Sequence, residues 1–218
     1  MRMRLVAVAI TMAGAAAALT AQGLQTPADW RWLNDEPAKL VQGQDVPPGA
    51  WRFVAMPPGW HVTTGPGALL FHPEYAGKGN FSIEAEIFLF PGESPSEYGV
   101  FLGGRDLDPQ KSPSYLAFVA RRDGKAAVLR LGGMSPIVDW KANSAVMPHP
   151  GKDTAKNILR VDVNPADIIF SANGKDVIRL PRAGLGVDGQ VGFRIGKGLD
   201  VHVSRLDITH RLAPVPVK

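Results

Sequence analysis

Glu84 and Glu86 stand two residues apart in Phe81-Ser82-Ile83-Glu84-Ala85-Glu86-Ile87-Phe88-Leu89-Phe90, and neighbouring carboxylates are the equipment of acid–base chemistry on acetals. Retaining glycosidases hold their carboxyls ~5 Å apart and inverting ones ~6.5–9.5 Å apart, while same-face neighbours on one strand have Cα atoms ~6.5–7 Å apart. The spacing permits a catalytic pair. It equally permits hydrogen bonds to sugar hydroxyls, or an ion-paired surface with Arg105, Arg121 or Lys125 on adjacent strands. In Gly103-Gly104-Arg105-Asp106-Leu107-Asp108-Pro109, Asp106 and Asp108 could join backbone carbonyls around a hard cation such as calcium, or serve an ordinary turn through side-chain-to-backbone bonds.

The other reactive side chains form no constellation. His61, His72, His149, His202 and His210 are dispersed without zinc-ligand spacing. His72, directly after an apolar run and before Pro73-Glu74-Tyr75, is the one best placed to face a cleft. There is no G-x-S-x-G elbow, phosphate-binding loop or nucleotide-binding glycine triplet. Aromatic rings remain, since sugar faces stack on exposed rings. Trp60, Tyr75, Tyr98, Tyr115 and Trp140 flank the expected loops, and Trp140, between Asp139 and Lys141, has the most polar setting.

The elements that must position these groups are strands. The run from Phe81 alternates, with Phe81, Ile83, Ala85, Ile87 and Leu89 on one face and Ser82, Glu84 and Glu86 on the other. Further strands are expected at 68–72, 98–103, 115–121, 126–131, 158–163, 167–172, 175–180, 189–195 and 199–209. Asp123-Gly124 and Asn173-Gly174 supply hairpin turns. Prolines such as Pro91, Pro109, Pro136, Pro165 and Pro181 fall near strand ends, where no ladder bond is lost. So many short strands without a helix predict one all-β domain, a two-sheet sandwich, over 51–210. Residues 22–50, rich in proline, read as an irregular arm pinned by Trp30 and Trp32, and 211–218 as an extended tail. The strand that follows the Glu84/Glu86 run is expected to pair with it and to bring Tyr98 and Arg105 alongside.

Arg2 and Arg4 precede an alanine-dominated run from Leu5 to Leu19, the pattern of a secretory signal peptide ending near Ala21. The run is too short and alanine-rich for a convincing span, so no membrane span is expected after cleavage. With no Cys in 218 residues, lipid attachment at a cysteine is excluded, and an exported form, periplasmic or extracellular, must persist without disulfides. Removing Arg2 and Arg4 lowers the formal net charge from +4 to +2. The remaining basic residues are scattered, which argues against a nucleic-acid partner.

Several segments carry more than pattern. Glu97-Tyr98-Gly99-Val100-Phe101-Leu102, Ile169-Phe170-Ser171-Ala172-Asn173-Gly174-Lys175, Asp188-Gly189-Gln190-Val191-Gly192-Phe193-Arg194 and the closing Val201-x-Val203-x-x-Leu206-x-Ile208 resemble the concanavalin A-like lectin/glucanase superfamily. Within it they are similar to secreted keto-disaccharide-hydrolase-like jelly rolls. The resemblance implies a jelly-roll sandwich with carbohydrate on a concave sheet, and the residues expected to meet it there are Glu84, Glu86, Tyr98, Arg105, Arg121 and Trp140. It does not carry over an activity. The laminarinase-type triplet E-x-D-x-x-E lacks its third carboxylate in Glu84-Ala85-Glu86-Ile87-Phe88-Leu89, and Ile195-Gly196-Lys197-Gly198 stands where a His-Gly step is usual. A carbohydrate binder is the leading expectation, beside a glycoside hydrolase or keto-sugar-processing enzyme on the same face and a surface-interaction module without a small ligand.

Overall fold

The computed structural model describes residues 26–42, 46–131, 136–149 and 151–211. The leader, its cleavage after Ala21 and the tail beyond Arg211 lie outside the described residues.

The described chain is all β. In order it forms β1 (Arg31–Asn34), β2 (Lys39–Leu40), β3 (Ala50–Ala55), β4 (Trp60–Thr63), β5 (Ala68–Gly77), β6 (Asn80–Leu89), β7 (Tyr98–Arg105) and β8 (Ser114–Ala120). Then come β9 (Lys125–Leu131), β10 (Pro136–Ala142), β11 (Ala155–Val163), β12 (Asp167–Ala172), β13 (Lys175–Pro181), β14 (Gly189–Ile195) and β15 (Asp200–Arg211). They build a seven-stranded sheet, β1-β5-β14-β7-β8-β9-β10, and an eight-stranded sheet, β13-β12-β11-β6-β15-β4-β3-β2. All recorded pairings are antiparallel except the short β2–β3 contact. Asn173-Gly174, both with positive φ, make the tight β12–β13 hairpin, a conformation asparagine and glycine tolerate best.

Alternation decides what each sheet buries. In β6, Phe81, Ile83, Ala85, Ile87 and Leu89 are fully buried between the sheets. They meet Tyr98, Val100, Leu102, Leu116 and Phe118 of the opposite sheet in one core, each large side chain contributing ~1.5–3 kcal/mol. The seven-stranded sheet is apolar on its other side as well. Leu33, Leu69, Phe71, Phe101, Tyr115, Ala117, Val119 and Ala127 form a second buried cluster there, with Leu129 and Trp140 against it. The same face carries one buried cation, Arg194, opposite Leu69 and paired with Asp35 (2.7 Å) and Glu97 (3.0 Å).

One polar residue is built into the core. Asn157 has no exposure; its Nδ2 donates to the Tyr98 hydroxyl (2.9 Å) and to Met147 O (3.0 Å). Its Oδ1 accepts from Met147 N (2.8 Å) and Asn173 Nδ2 (2.8 Å). The 143–149 segment is thereby tied to β11 and the β12–β13 hairpin.

Several expectations are corrected here. The arm contributes two strands, because Trp32 packs on Phe53 with ring centroids 5.5 Å apart and β1 lies in register on β5. Arg211 closes β15 and is not part of a tail. The strand after β6 does not pair with it: the 90–97 connection crosses between the sheets, so β6 lies between β11 and β15 while β7 lies between β14 and β8. Tyr98 points into the core with no exposure, where burial raises its hydroxyl pKa to about 12 despite the Asn157 bond. It is unavailable to a sugar.

Candidate functional site

The expected site residues fall on different surfaces. Glu84 and Glu86 lie on the outer face of the eight-stranded sheet. Arg121 and Trp140 sit at the margin of the apolar face of the other sheet, the guanidinium carbon 3.6 Å from the Trp140 ring centroid. Arg105 ends β7, with Nη2 3.4 Å from Asp188 O. No single cleft gathers them.

The carboxylate pair is embedded in ion pairs. Glu84 takes Arg205 and Arg160 (3.3 Å), and Glu86 takes Lys156 (3.3 Å) and the Ser204 hydroxyl (2.7 Å). The Ser204 hydrogen bond, and then Lys156, outweigh burial to hold the Glu86 carboxyl below its ordinary pKa. A glycosidic general acid needs a shift in the opposite direction.

On the same face Asp162 gathers Arg160 (2.8 Å), Ser82 (2.6 Å) and Arg211. Burial alone would raise its pKa, but those bonds bring it down to about 2. A depressed carboxyl stabilises the fold above its unfolded pKa, near 4, and that stability is lost as pH falls toward 2. With Asp162 only 16% exposed but its arginines partly solvated, the contribution is ~1–2 kcal/mol. Urea titrations at pH 7 and pH 3 should show Asp162→Asn less stable than the parent at pH 7, with about half of that difference remaining at pH 3, since the folded-state carboxyl with its pKa of about 2 is still ionised there.

The acidic pair acquires a role through β15. Arg205, not Ser204, lies opposite Glu86, because the register shifts by one residue after Val203, a bulge that re-aims the strand. β4 pairs only with Asp200–Val203, so the far half of β15 has no β4 partner. The β3–β4 turn ends against it at Gly59, with φ +119 and a Cβ position only 2.1 Å from Val203 O. Only glycine fits there.

Beyond that point the sandwich opens into a niche of about 190 Å³, lined by Trp30, Trp60, Tyr75 and Phe193 together with Ser204, Arg205, Leu206 and apolar neighbours. Trp60 shares the inward parity of Val62. Trp30 is set by a turn in which its amide donates to Pro27 O (3.3 Å) and Asp29 takes a φ of 62°. Its ring stacks on Phe193 (5.9 Å, 23°) and meets Tyr75 edge-on (5.8 Å, 77°). On its other side lies a cleft of about 450 Å³ lined by Asp29, Trp30, Arg31, His72, Pro73 and Glu74. His72 thus faces a cleft, its ring 4.7 Å from that of Tyr75.

The niche joins aromatic rings to Ser204 and Arg205, whose side chains bond the acidic pair of the outer face, Arg205 with Glu84 and Ser204 with Glu86. Trp60 and Tyr75 were visible in the sequence as loop-flanking rings. Trp30 was read as an anchor, and Arg205 carried no signal.

Asp106 and Asp108 serve a turn. Asp108 Oδ1 accepts from Gln110 N (2.8 Å), and Lys111 Nζ lies 3.5 Å from Asp106 Oδ1. No group of three or more His, Asp or Glu side chains that could hold a metal occurs among the described residues.

No protein-family model and no curated protein matches the chain. Solved structures do. The carbohydrate-binding module CBM66 from Bacillus subtilis superposes with a TM-score of 0.59 at 12% identity, covering 84% of this chain and 96% of its own. A Bacillus subtilis protein of unknown function with a galectin-like fold gives 0.58 at 13% identity, over 83% and 89%. The carbohydrate recognition domain of Emp46p in its metal-free form gives 0.53 at 11% identity, over 83% and 88%. At such identities the likeness establishes the fold alone: a two-sheet antiparallel jelly-roll sandwich.

Proposed function

We propose that this protein is an exported carbohydrate-binding sandwich whose sugar site is the niche of Trp30, Trp60 and Tyr75. One observation carries the reading: three rings, Trp30 and Trp60 partly buried and Tyr75 exposed, line one opening together with Ser204 and Arg205. That combination suits a pyranose, whose C–H faces pack on aromatic rings while its hydroxyls need planar, fixed donors and acceptors. Solved jelly rolls named as carbohydrate-binding support the ligand class. Export rests on Arg2, Arg4 and the run to Leu19.

Glu84 and Glu86 are positioning residues in this reading. They fix Ser204 and Arg205 and do not touch the sugar. A neutral-glycan array probed with the purified protein, followed by analysis for released sugar, tests it. Specific retention without product is expected. Retention unaffected by Trp30→Ala would overturn the placement, and product release would replace binding by catalysis.

A further inference from the structure

A second cleft, about 430 Å³ in volume and sharing no residue with the niche, lies between the β8–β9 turn, the 90–97 connection and the 143–149 segment. Arg121, Arg122, Asp123 and His149 line it with Glu93 and two prolines. Each nitrogen of the Arg122 guanidinium makes a hydrogen bond. Its Nη2 and Nε donate to Phe90 O (3.3 Å) and Ser94 O (3.4 Å), and its Nη1 lies 2.8 Å from His149 Nδ1.

A guanidinium has only donors, so Nδ1 is the acceptor and the ring proton sits on Nε2. His149 is 3% exposed, and its Nε2 has no hydrogen-bond partner. The Arg121 guanidinium carbon lies 3.6 Å from the centre of the Trp140 ring, and its buried Nε also lacks a partner. The acids of the cleft do not answer this demand. Asp123 is held by Lys125 at 2.7 Å, and Glu93 makes no ion pair with either arginine.

Buried donors without acceptors are rare and costly in native proteins. Here two line one cleft, Arg121 Nε on a planar cation whose in-plane N–H groups suit bidentate recognition of an oxyanion and Nε2 on the His149 ring. We propose that this cleft binds a ligand through a carboxylate or sulfate group, as on an acidic sugar, with Arg121 and the His149 Nε2–H as its donors and Trp140 holding the Arg121 plane. The inference stands independently of the niche.

The test is a nitrogen-15 titration of the purified protein with sodium D-glucuronate, sodium sulfate and D-glucose at matched ionic strength. Saturable shifts of the Arg121 Nε–H and His149 ring signals are expected with an oxyanion and not with glucose. Saturation by glucuronate alone identifies an acidic sugar, and saturation by both anions identifies the oxyanion itself as the recognised group. Arg121→Gln should weaken binding roughly tenfold or more, as expected for charge-assisted bonds. Arg121→Lys, which keeps the charge without the fork, should fall between. Trp30→Ala should leave the affinity unchanged. Shifts that do not saturate, an Arg121→Gln affinity equal to the parent's, or loss of binding in Trp30→Ala would each overturn the proposal; thermal melts confirm that every variant is folded.

Discussion

Trp30→Ala is expected to weaken binding of a neutral glycan by roughly 30-fold or more, the loss of ~2 kcal/mol that a buried aromatic anchor typically carries at an interface. The residue is central to the niche: it stacks on Phe193, meets Tyr75 edge-on and separates the smaller opening from the His72 cleft. Trp30→Phe retains a flat apolar face and should retain most of the affinity. Calorimetry on both variants checks this. The stability change should be modest in either case, because Trp30 is only partly buried, lies outside the strands and is followed by a β1 whose Trp32 still packs on Phe53.

The largest expected effect on stability is that of Asn157→Ala. Removing the side chain leaves the Tyr98 hydroxyl and both backbone polar atoms of Met147 without their partner, along with one donor bond of Asn173. Each buried group so stranded costs ~1–3 kcal/mol. Partial relaxation toward solvent around the 143–149 segment brings the total to ~3–5 kcal/mol, or roughly 10 °C in Tm for a domain of this size. Tyr98→Phe removes only one of these bonds and should cost ~1 kcal/mol. Because Asn157 also holds the segment that carries His149, the alanine variant should lose oxyanion binding at Arg121 while the Trp30 niche keeps its sugar.

The strands most legible in the sequence were those with strict alternation and a turn that imposes register. Thus β6 shows five inward apolar residues, and β12–β13 turns at Asn173-Gly174. β10 was missed because it is an exposed edge strand whose mixed side chains carry no period, and β1 and β2 because prolines and short length hide them in the arm. Pairing was less legible than strand identity. Nothing local in Pro91–Glu97 announces that the chain crosses from one sheet to the other, yet that crossing separates Glu84 and Glu86 from Arg105, Arg121 and Trp140.

The candidate site was obscured for the same reason. Its rings and polar side chains come from the arm, the start of β4, the end of β5, β14 and a bulge in β15, and only folding brings them together. The carboxylate pair did mark the neighbourhood, but as support for Ser204 and Arg205.

The most direct measurement of the central claim follows the indole N–H resonances of the protein's five tryptophans during titration with a neutral glycan that it retains. Trp30 and Trp60 should shift together and saturably, while Trp51, whose indole donates to Pro66 O within the core, and Trp140, beside Arg121, stay fixed. Saturable movement of Trp140 with Trp30 and Trp60 unmoved would contradict the account and place the sugar on the other sheet.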